Sequence, residues 1–346
     1  MRKIFLAACL LVLVLQVKVS AQDIQFSQFY AAPLYLNPAF AGSTEYTRVG
    51  LNYRNQWPAI DANFTTTSIY ADHYLEDVNS GIGAILTYDK SGIGGLRSFT
   101  IGLQYAYELR LSEKFTFRPG IQVAYYNRSV NFNDLLFGDQ IDGNTGAINP
   151  VTGEVFDGGL KKGFVDLTFG GLLFSKHAWF GATVDHLTEP NQSIDGGVDP
   201  LPRKLSIHGG YKFFMKSGVM GSGLYARPRE RSITPTFQYK SQGQFDQMDL
   251  GVYATFEPII IGLWYRGLPF KKFEDFNNNE SIVFLLGFTK KAKDDVLHIG
   301  YSYDFTISEL GPGSGGAHEF SLSYAWSTRD PRKPPKHVMQ IPCPDF

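Results

Sequence analysis

Phe99-Thr100-Ile101-Gly102-Leu103-Gln104-Tyr105-Ala106-Tyr107-Glu108-Leu109-Arg110 is the stretch that decides the fold. Phe99, Ile101, Leu103, Tyr105, Tyr107 and Leu109 are all large and apolar. The residues between them are small or polar: Thr100, Gly102, Gln104, Ala106, Glu108 and Arg110. A period of two is the mark of a strand with two unlike faces. The run is longer than the usual strand of a soluble sheet. It matches the roughly 9–11 residues that a tilted strand needs to cross a bilayer.

The next segment repeats the pattern. Phe115, Phe117, Ile121, Val123 and Tyr125 alternate with Thr116, Arg118, Gly120, Gln122 and Ala124. A short turn around Glu113 joins the two runs. If Leu111 pairs with Phe115, Glu108 falls opposite Arg118, Gln104 opposite Gln122 and Ser98 opposite Arg128. On the apolar face, Leu109 then meets Phe117 and Leu103 meets Val123. Opposite charges directly across a ladder are mutually stabilising. Arg110, Arg118 and Arg128 would otherwise crowd like charge onto one wall. A paired, filled lumen is the expectation.

Working outward, similar runs predict strands near residues 46–57, 64–73, 81–90, 97–110, 115–128, 164–175, 178–187, 203–214, 232–240, 246–256, 259–266, 280–289, 296–305 and 317–327. That is about fourteen, an even number, as bacterial single-chain barrels require. The expected fold is all-β: a transmembrane antiparallel β-barrel over residues 44–327. Outer-membrane barrels keep periplasmic turns short and external loops long. With both termini periplasmic, the short connections at 111–114, 175–178 and 257–258 are even-numbered. The longer segments 129–163, 188–202, 267–279 and 306–316 are odd-numbered. The segment 215–231 breaks the rule, being even-numbered and long.

Composition agrees. Of 346 residues, 19% are charged and 15% aromatic, with 36 Gly. Soluble domains carry nearer 25% charge. A net charge of −1 and the lack of a basic stripe argue against nucleic acid as a partner. A secreted β-sandwich also alternates, but strand length, low charge and aromatic residues near strand ends favour the barrel. Tyr53, Trp57, Tyr88, Tyr125, Trp179, Trp264, Tyr303 and Trp326 lie where an interfacial girdle would sit.

The ends are different material. Arg2 and Lys3, the apolar run from Ile4 to Leu15 and the small residues Val19-Ser20-Ala21 read as a cleavable signal peptide, residues 1–21. Its loss, with Arg2, Lys3 and Lys18, takes the net charge from −1 to about −4. Leu6-Ala7-Ala8-Cys9 resembles a lipoprotein box, but it lies too near the start and the apolar run continues past it. Cys343 is then the one cysteine of the processed chain, which permits no intrachain disulfide. Residues 22–43 contain Pro33 and Pro38 and do not alternate. They predict a non-strand segment at the periplasmic mouth or tucked into the lumen. The tail, residues 328–346, holds Pro331, Pro334, Pro335, Pro342 and Pro344 with Arg329, Arg332, Lys333 and Lys336. Proline removes ladder donors, so this is read as an extended periplasmic tail.

No catalytic constellation is legible. His73, His186, His208 and His298 fall on expected strands and His318 near the start of the last. Ser206 and Ser302 stand two and four residues from His208 and His298, with no Gly-x-Ser-x-Gly elbow. Histidines in a polar lumen network are the simpler reading. Asp139-Gln140-Ile141-Asp142-Gly143-Asn144 hints at a calcium loop, but Ile141 and Gly143 stand where alternate ligands are needed. A turn-rich external loop is the simpler reading there too, and also for the acidic, asparagine-rich stretch from Glu274 to Glu280. No cofactor or metal motif is found, and the chain reads as a non-enzyme.

Several blocks carry a family resemblance. Gln22-Asp23-Ile24-Gln25-Phe26-Ser27-Gln28 followed by Asn37-Pro38-Ala39-Phe40-Ala41-Gly42 resembles the processed N-terminus of the PorP/SprF family. Shorter matches are Phe137-Gly138-Asp139-Gln140, His186-Leu187 with Pro190, Tyr265-Arg266-Gly267, Tyr301-Ser302-Tyr303-Asp304 and Gly316-Ala317-His318-Glu319. The resemblance implies an outer-membrane barrel of the type IX secretion system of Bacteroidota, the system linked to gliding motility. It implies an accessory component that supports secretion or surface attachment of a partner substrate. Its partners would be outer-membrane lipid, periplasmic and outer-membrane parts of the machinery, and a secreted surface protein. The family brings no catalytic residues. The alternative is a passive outer-membrane pore or small-solute transporter.

Overall fold

The alternation of residues 99–110 recurs as 14 antiparallel strands closed into one barrel in the computed structural model of the chain. The structure describes residues 23–344, apart from 45, 62, 93–94, 132–134, 143–144, 154–159, 216–218, 221–226, 274–275, 293–294 and 329–339. The proposed signal peptide and most of the basic tail lie outside the described residues.

The strands are β1 (Thr47–Gln56), β2 (Phe64–Leu75), β3 (Ser80–Ser91), β4 (Leu96–Tyr107, prolonged by Leu109–Arg110), β5 (Thr116–Ser129), β6 (Lys161–Phe174) and β7 (Ala178–Asp185). They continue as β8 (Lys204–Tyr211, prolonged by Phe213–Phe214), β9 (Arg231–Gln242), β10 (Phe245–Phe256), β11 (Ile259–Phe273), β12 (Phe276–Lys291), β13 (Asp295–Thr306) and β14 (Ala317–Trp326). Each pairs with its neighbours in sequence, and β14 pairs back onto β1, from Thr47 opposite Trp326 to Gln56 opposite Ala317. Closure leaves no sheet edge along the wall, as a bilayer demands. Among the described residues no helix is long and apolar enough to cross a membrane. The ends are named by the turn-length convention, so β1 runs from periplasmic to external.

The register of β4 and β5 is the expected one. Ser98 stands opposite Arg128, Gln104 opposite Gln122, Leu103 opposite Val123 and Leu109 opposite Phe117. The turn closes with Leu111 N–H donating to the Phe115 carbonyl at 3.1 Å. Outward residues such as Ile101, Leu103, Ile121, Val123, Phe284 and Leu286 are exposed and form the apolar belt that faces lipid. Inward residues are mostly polar and buried.

Two expectations are corrected, and the one exception to the turn rule is given a structure. The segment 267–279 is not one long loop: β11 runs on to Phe273 and β12 starts at Phe276, with register shifts after Arg266 and after Leu268, and Phe273 pairs with Phe276. The long even-numbered connection between β8 and β9 carries a small ribbon pairing Val219–Met220 with Arg227–Pro228. Trp179 and Trp264 are not girdle residues. They share a face with Gly181 and Thr183, and with Gly262 and Arg266, and both are buried inside the barrel. Tyr53, Tyr88 and Tyr125 do face outward and are exposed.

Candidate functional site

What buries those tryptophans is the segment from Asp23 to Ser43. Phe26, Phe29, Tyr30, Leu34, Leu36 and Phe40 are buried in one cluster or beside it, with Trp179, Tyr253, Trp264, Val283 and Leu285 of the wall. The segment is not confined to the periplasmic mouth. It begins at the external strand ends, where Asp23 meets His186, Lys204 and Gln242, and descends to β1 at the periplasmic end. Its aromatic residues have no lipid to face and bury themselves in the lumen instead. It is a plug.

The plug has little regular structure of its own. A single helical turn, α1 (Pro33–Leu36), starts with Pro, whose fixed φ suits a first position. Asn37 then accepts from the Ala39 N–H at 2.9 Å and starts a second short turn, Pro38–Phe40. Because so few of its backbone groups pair internally, wall side chains must satisfy them.

At the external half, the Ser27 and Gln28 N–H groups donate to the two oxygens of Glu319, at 2.7 and 3.0 Å. Ser27 Oγ donates to Asp304 at 2.6 Å and accepts from Arg54 and Arg266. Arg54 and Arg266 each also reach Asp304 at 2.9 Å, and Arg266 reaches Asp249 at 2.7 Å. Two arginines and three carboxylates, all buried, thus converge on one serine of the plug. Gln28 Nε2 donates to Ser302 Oγ at 3.2 Å and to the Glu319 carbonyl at 3.0 Å.

At the periplasmic half, Arg118 donates to the carbonyls of Ala39, Ala41 and Gly42 at 3.2, 2.6 and 3.1 Å, and to Glu108 at 2.9 Å. Asp72 accepts from the Gly42 N–H at 2.9 Å and is itself paired with Arg48. Asn37 Nδ2 reaches the Gly171 carbonyl at 3.1 Å and His208 Nε2 at 3.3 Å.

Wall glycines make room for this. A side chain at Gly120 would strike the backbone of Pro38 and Ala39, the Pro38 carbonyl carbon at 2.6 Å. One at Gly81 would strike the backbone of Ala41. Gly42, at φ +58°, turns the plug toward β1 in a conformation that other residues rarely adopt.

Above and below the plug lie two vestibules. The external one, about 590 Å³, is lined by Trp57, Phe64, Asp89, Arg128, Lys204 and Glu280 among others. His186 sits at its edge in a left-handed turn, φ +58°, just past the end of β7. It bridges Asp166 at 2.6 Å and Asp23 at 2.7 Å. Burial opposes its positive charge, but the Asp23 carboxylate and the hydrogen bonds to Asp166 and Asp23 prevail and lift the imidazole to about 9. Burial likewise opposes the Asp23 charge. Lys204 and His186 prevail and hold its carboxyl well below the usual range. The periplasmic vestibule, about 1120 Å³, is lined by Tyr30, Phe40, Lys212, Glu230 and His298 among others, and by residues 340–344 of the tail.

The histidines raised by the sequence all have structural partners. His208 stacks on Phe40 with ring centroids 5.7 Å apart. His73 pairs with Thr47, His298 with Thr289 and His318 with Tyr301. Ser302 is bonded to the plug. Among the described residues no hydroxyl is set against a histidine oriented by a carboxylate. In the loop hinted at for calcium, Asp139 accepts from Thr152 Oγ1 and the Gly153 N–H, and Asp142 accepts from the Thr145 N–H. Those bonds hold turns. Among the described residues no group of His, Cys, Asp or Glu is arranged to hold a metal.

Sequence reading missed the plug's depth and the convergence on Ser27. The motif blocks were the available signal. Ser27, Gln28, Asn37, His186, Arg266, Ser302, Asp304 and Glu319 all belong to them; Ser27 and Gln28 meet Arg266, Ser302, Asp304 and Glu319, while Asn37 bonds to Gly171 and His208 and His186 holds Asp23.

Among solved structures the chain is similar to a Pseudomonas aeruginosa FadL homologue, at 10% identity and a TM-score of 0.44, covering 84% of this chain and 94% of that one. It is also similar to the Pseudomonas putida toluene transporter TodX, at 11% identity and a TM-score of 0.46, covering 89% and 95%. No curated protein matches in sequence. The model of the PorP/SprF family, described as type IX secretion system membrane proteins, matches residues 18–324. The chain therefore belongs to the PorP/SprF family and is an outer-membrane β-barrel component of the type IX secretion system.

Proposed function

We propose that this barrel is a non-conducting accessory of the machine. It supports secretion or surface attachment of a partner substrate and, through that, gliding motility. The observation that carries the reading is the plug, gripped by buried charge at both ends of its path. A lumen filled in this way leaves the two mouths and the outer wall to do the work. Family membership implies contact with other secretion components and with the membrane; the periplasmic parts of the machine and a secreted surface protein are the partners this reading names. Removal of residues 1–21 as a leader fits the same picture, because Asp23 already stands at the external vestibule and the processed chain would have one residue before it.

The second reading is a passive pore or small-solute transporter. The vestibules favour it, since movement of the plug would join them. Planar-bilayer recording separates the two. A steady selective current from the purified protein supports the pore. Silence, together with co-purification of other type IX components in mild detergent, supports the accessory role.

A further inference from the structure

The periplasmic vestibule holds a guest. Residues 340–344, Gln-Ile-Pro-Cys-Pro, lie in the periplasmic mouth of the barrel. Ile341, Pro342 and Pro344 are buried, and Ile341 belongs to the same apolar cluster as Phe29, Tyr30 and Phe40 of the plug. Cys343 packs against that cluster. The tail is therefore not wholly given over to solvent, as its prolines and basic residues suggested. Its last described residues are seated.

We infer that the periplasmic vestibule is a binding site for an extended, proline-spaced apolar peptide, and that residues 340–344 are its resident ligand. Three features fit that ligand class. The lining is aromatic on the plug side, with Tyr30 and Phe40, and mixed on the wall side, where Val296 and Ala325 stand with Lys212, Glu230 and Lys291. Proline-spaced segments suit aromatic-lined grooves because they are already extended and lose little freedom on docking. Two prolines flank Cys343, so this stretch offers few N–H groups that would need partners when buried. The vestibule also keeps about 1120 Å³ beside its occupant, room for a longer segment than the five residues it holds. The contrast with the plug is chemical: charged hydrogen bonds fix Ser27 and Gly42 to the wall, whereas apolar burial seats Ile341 and its neighbours. A peptide of the same chemistry on a periplasmic partner would compete for the seat. The inference rests on this geometry and stands whether or not the barrel conducts.

The test uses the full chain in mild detergent. The rate of maleimide labelling, mapped to Cys343, is compared between wild type, Ile341→Asp and Pro344→Asp, each checked for heat-modifiable migration. A fluorescent peptide with the sequence of residues 340–344 and Ser in place of Cys is then titrated by anisotropy into each protein. The expected result is labelling at least tenfold faster in a folded variant, with peptide binding at least tenfold tighter than to wild type. A peptide with Ser at the Ile and both Pro positions should not bind. Equal labelling rates in wild type and both variants would show that the tail is not seated. Faster labelling without peptide binding would show a strap that works only as part of its own chain. Either result overturns the inference.

Discussion

Glu108 and Arg118 face each other across β4 and β5, with Nη1 2.9 Å from Oε2, and the same guanidinium grips the plug through the carbonyls of Ala39, Ala41 and Gly42. The wall pair is thus also a plug clamp. Arg118 is 1% exposed, so this is not the surface ion pair whose energy is near zero.

Losing the two partners together should therefore cost less than the sum of losing each alone. Glu108→Leu leaves a buried guanidinium without its paired carboxylate, a loss of about 3–5 kcal/mol by analogy with other broken buried pairs. Arg118→Met also orphans three plug carbonyls, and Glu108→Leu combined with it should lose less than the two single variants summed. Denaturant unfolding in detergent, carried through as a double-mutant cycle, gives the comparison. A double-variant loss equal to the sum of the two single losses would mean that the pair carries no coupling.

The wall glycines give a second expectation. Gly120→Val or Gly81→Val places a side chain where plug backbone now lies, and backbone cannot step aside as a flexible side chain can. The plug should be displaced while the outward face of the barrel is unaltered. In planar bilayers the wild type should be silent and the variants should pass current. Silent variants whose plug stays protected from protease would show that the close approach is not what seats it.

How far the sequence reached depends on the kind of signal. Strand positions and the β4–β5 register were legible because alternation and a short turn are local. Which strand residues face outward was legible too, but the lining of the lumen was not. Trp179 and Trp264 sit on the polar parity and yet are aromatic, because they pack on Tyr30 and Phe29 of the plug. Val283 and Leu285 are apolar inside for the same reason, which is why the run near Ile282 to Phe288 shows no alternation. The plug itself has no period to read. Its contacts join residues more than two hundred positions apart, such as Ser27 and Asp304, and one sequence carries no trace of such a contact. The extension of β11 and β12 was hidden by asparagines and charges that resemble a loop.

The connection between β5 and β6 should reach the cell surface. It is odd-numbered and far longer than a tight turn needs. Near its middle, Gly146 is at φ +68° with open space around it, so an inserted epitope meets no neighbour. Antibody should label such an epitope on intact cells. Labelling only after lysis would invert the topology.

The contact between Asp23 and His186 makes a prediction about pH. His186 is raised to about 9 in the folded chain, against roughly 6.5 for an ordinary histidine. A raised histidine stabilises fully below its unfolded pKa and loses that contribution as pH rises through the folded one. Asp23 is depressed, so its contribution is present above roughly pH 4 and is lost as pH falls through its lowered folded value. The two describe one interaction and are not additive. Stability should be greatest between about pH 4 and 6.5 and should fall by up to about 3 kcal/mol toward pH 9 and above. Asp23→Asn removes the main group that lifts His186 while leaving Asp166 on the other ring nitrogen and Asp185 beside Lys204. The decline between pH 6.5 and 9 should then flatten. The measurement is the denaturant midpoint in detergent at a series of pH values, for wild type and Asp23→Asn. A slope that is the same in both proteins would mean that the plug's first described residue is not held by the histidine in solution.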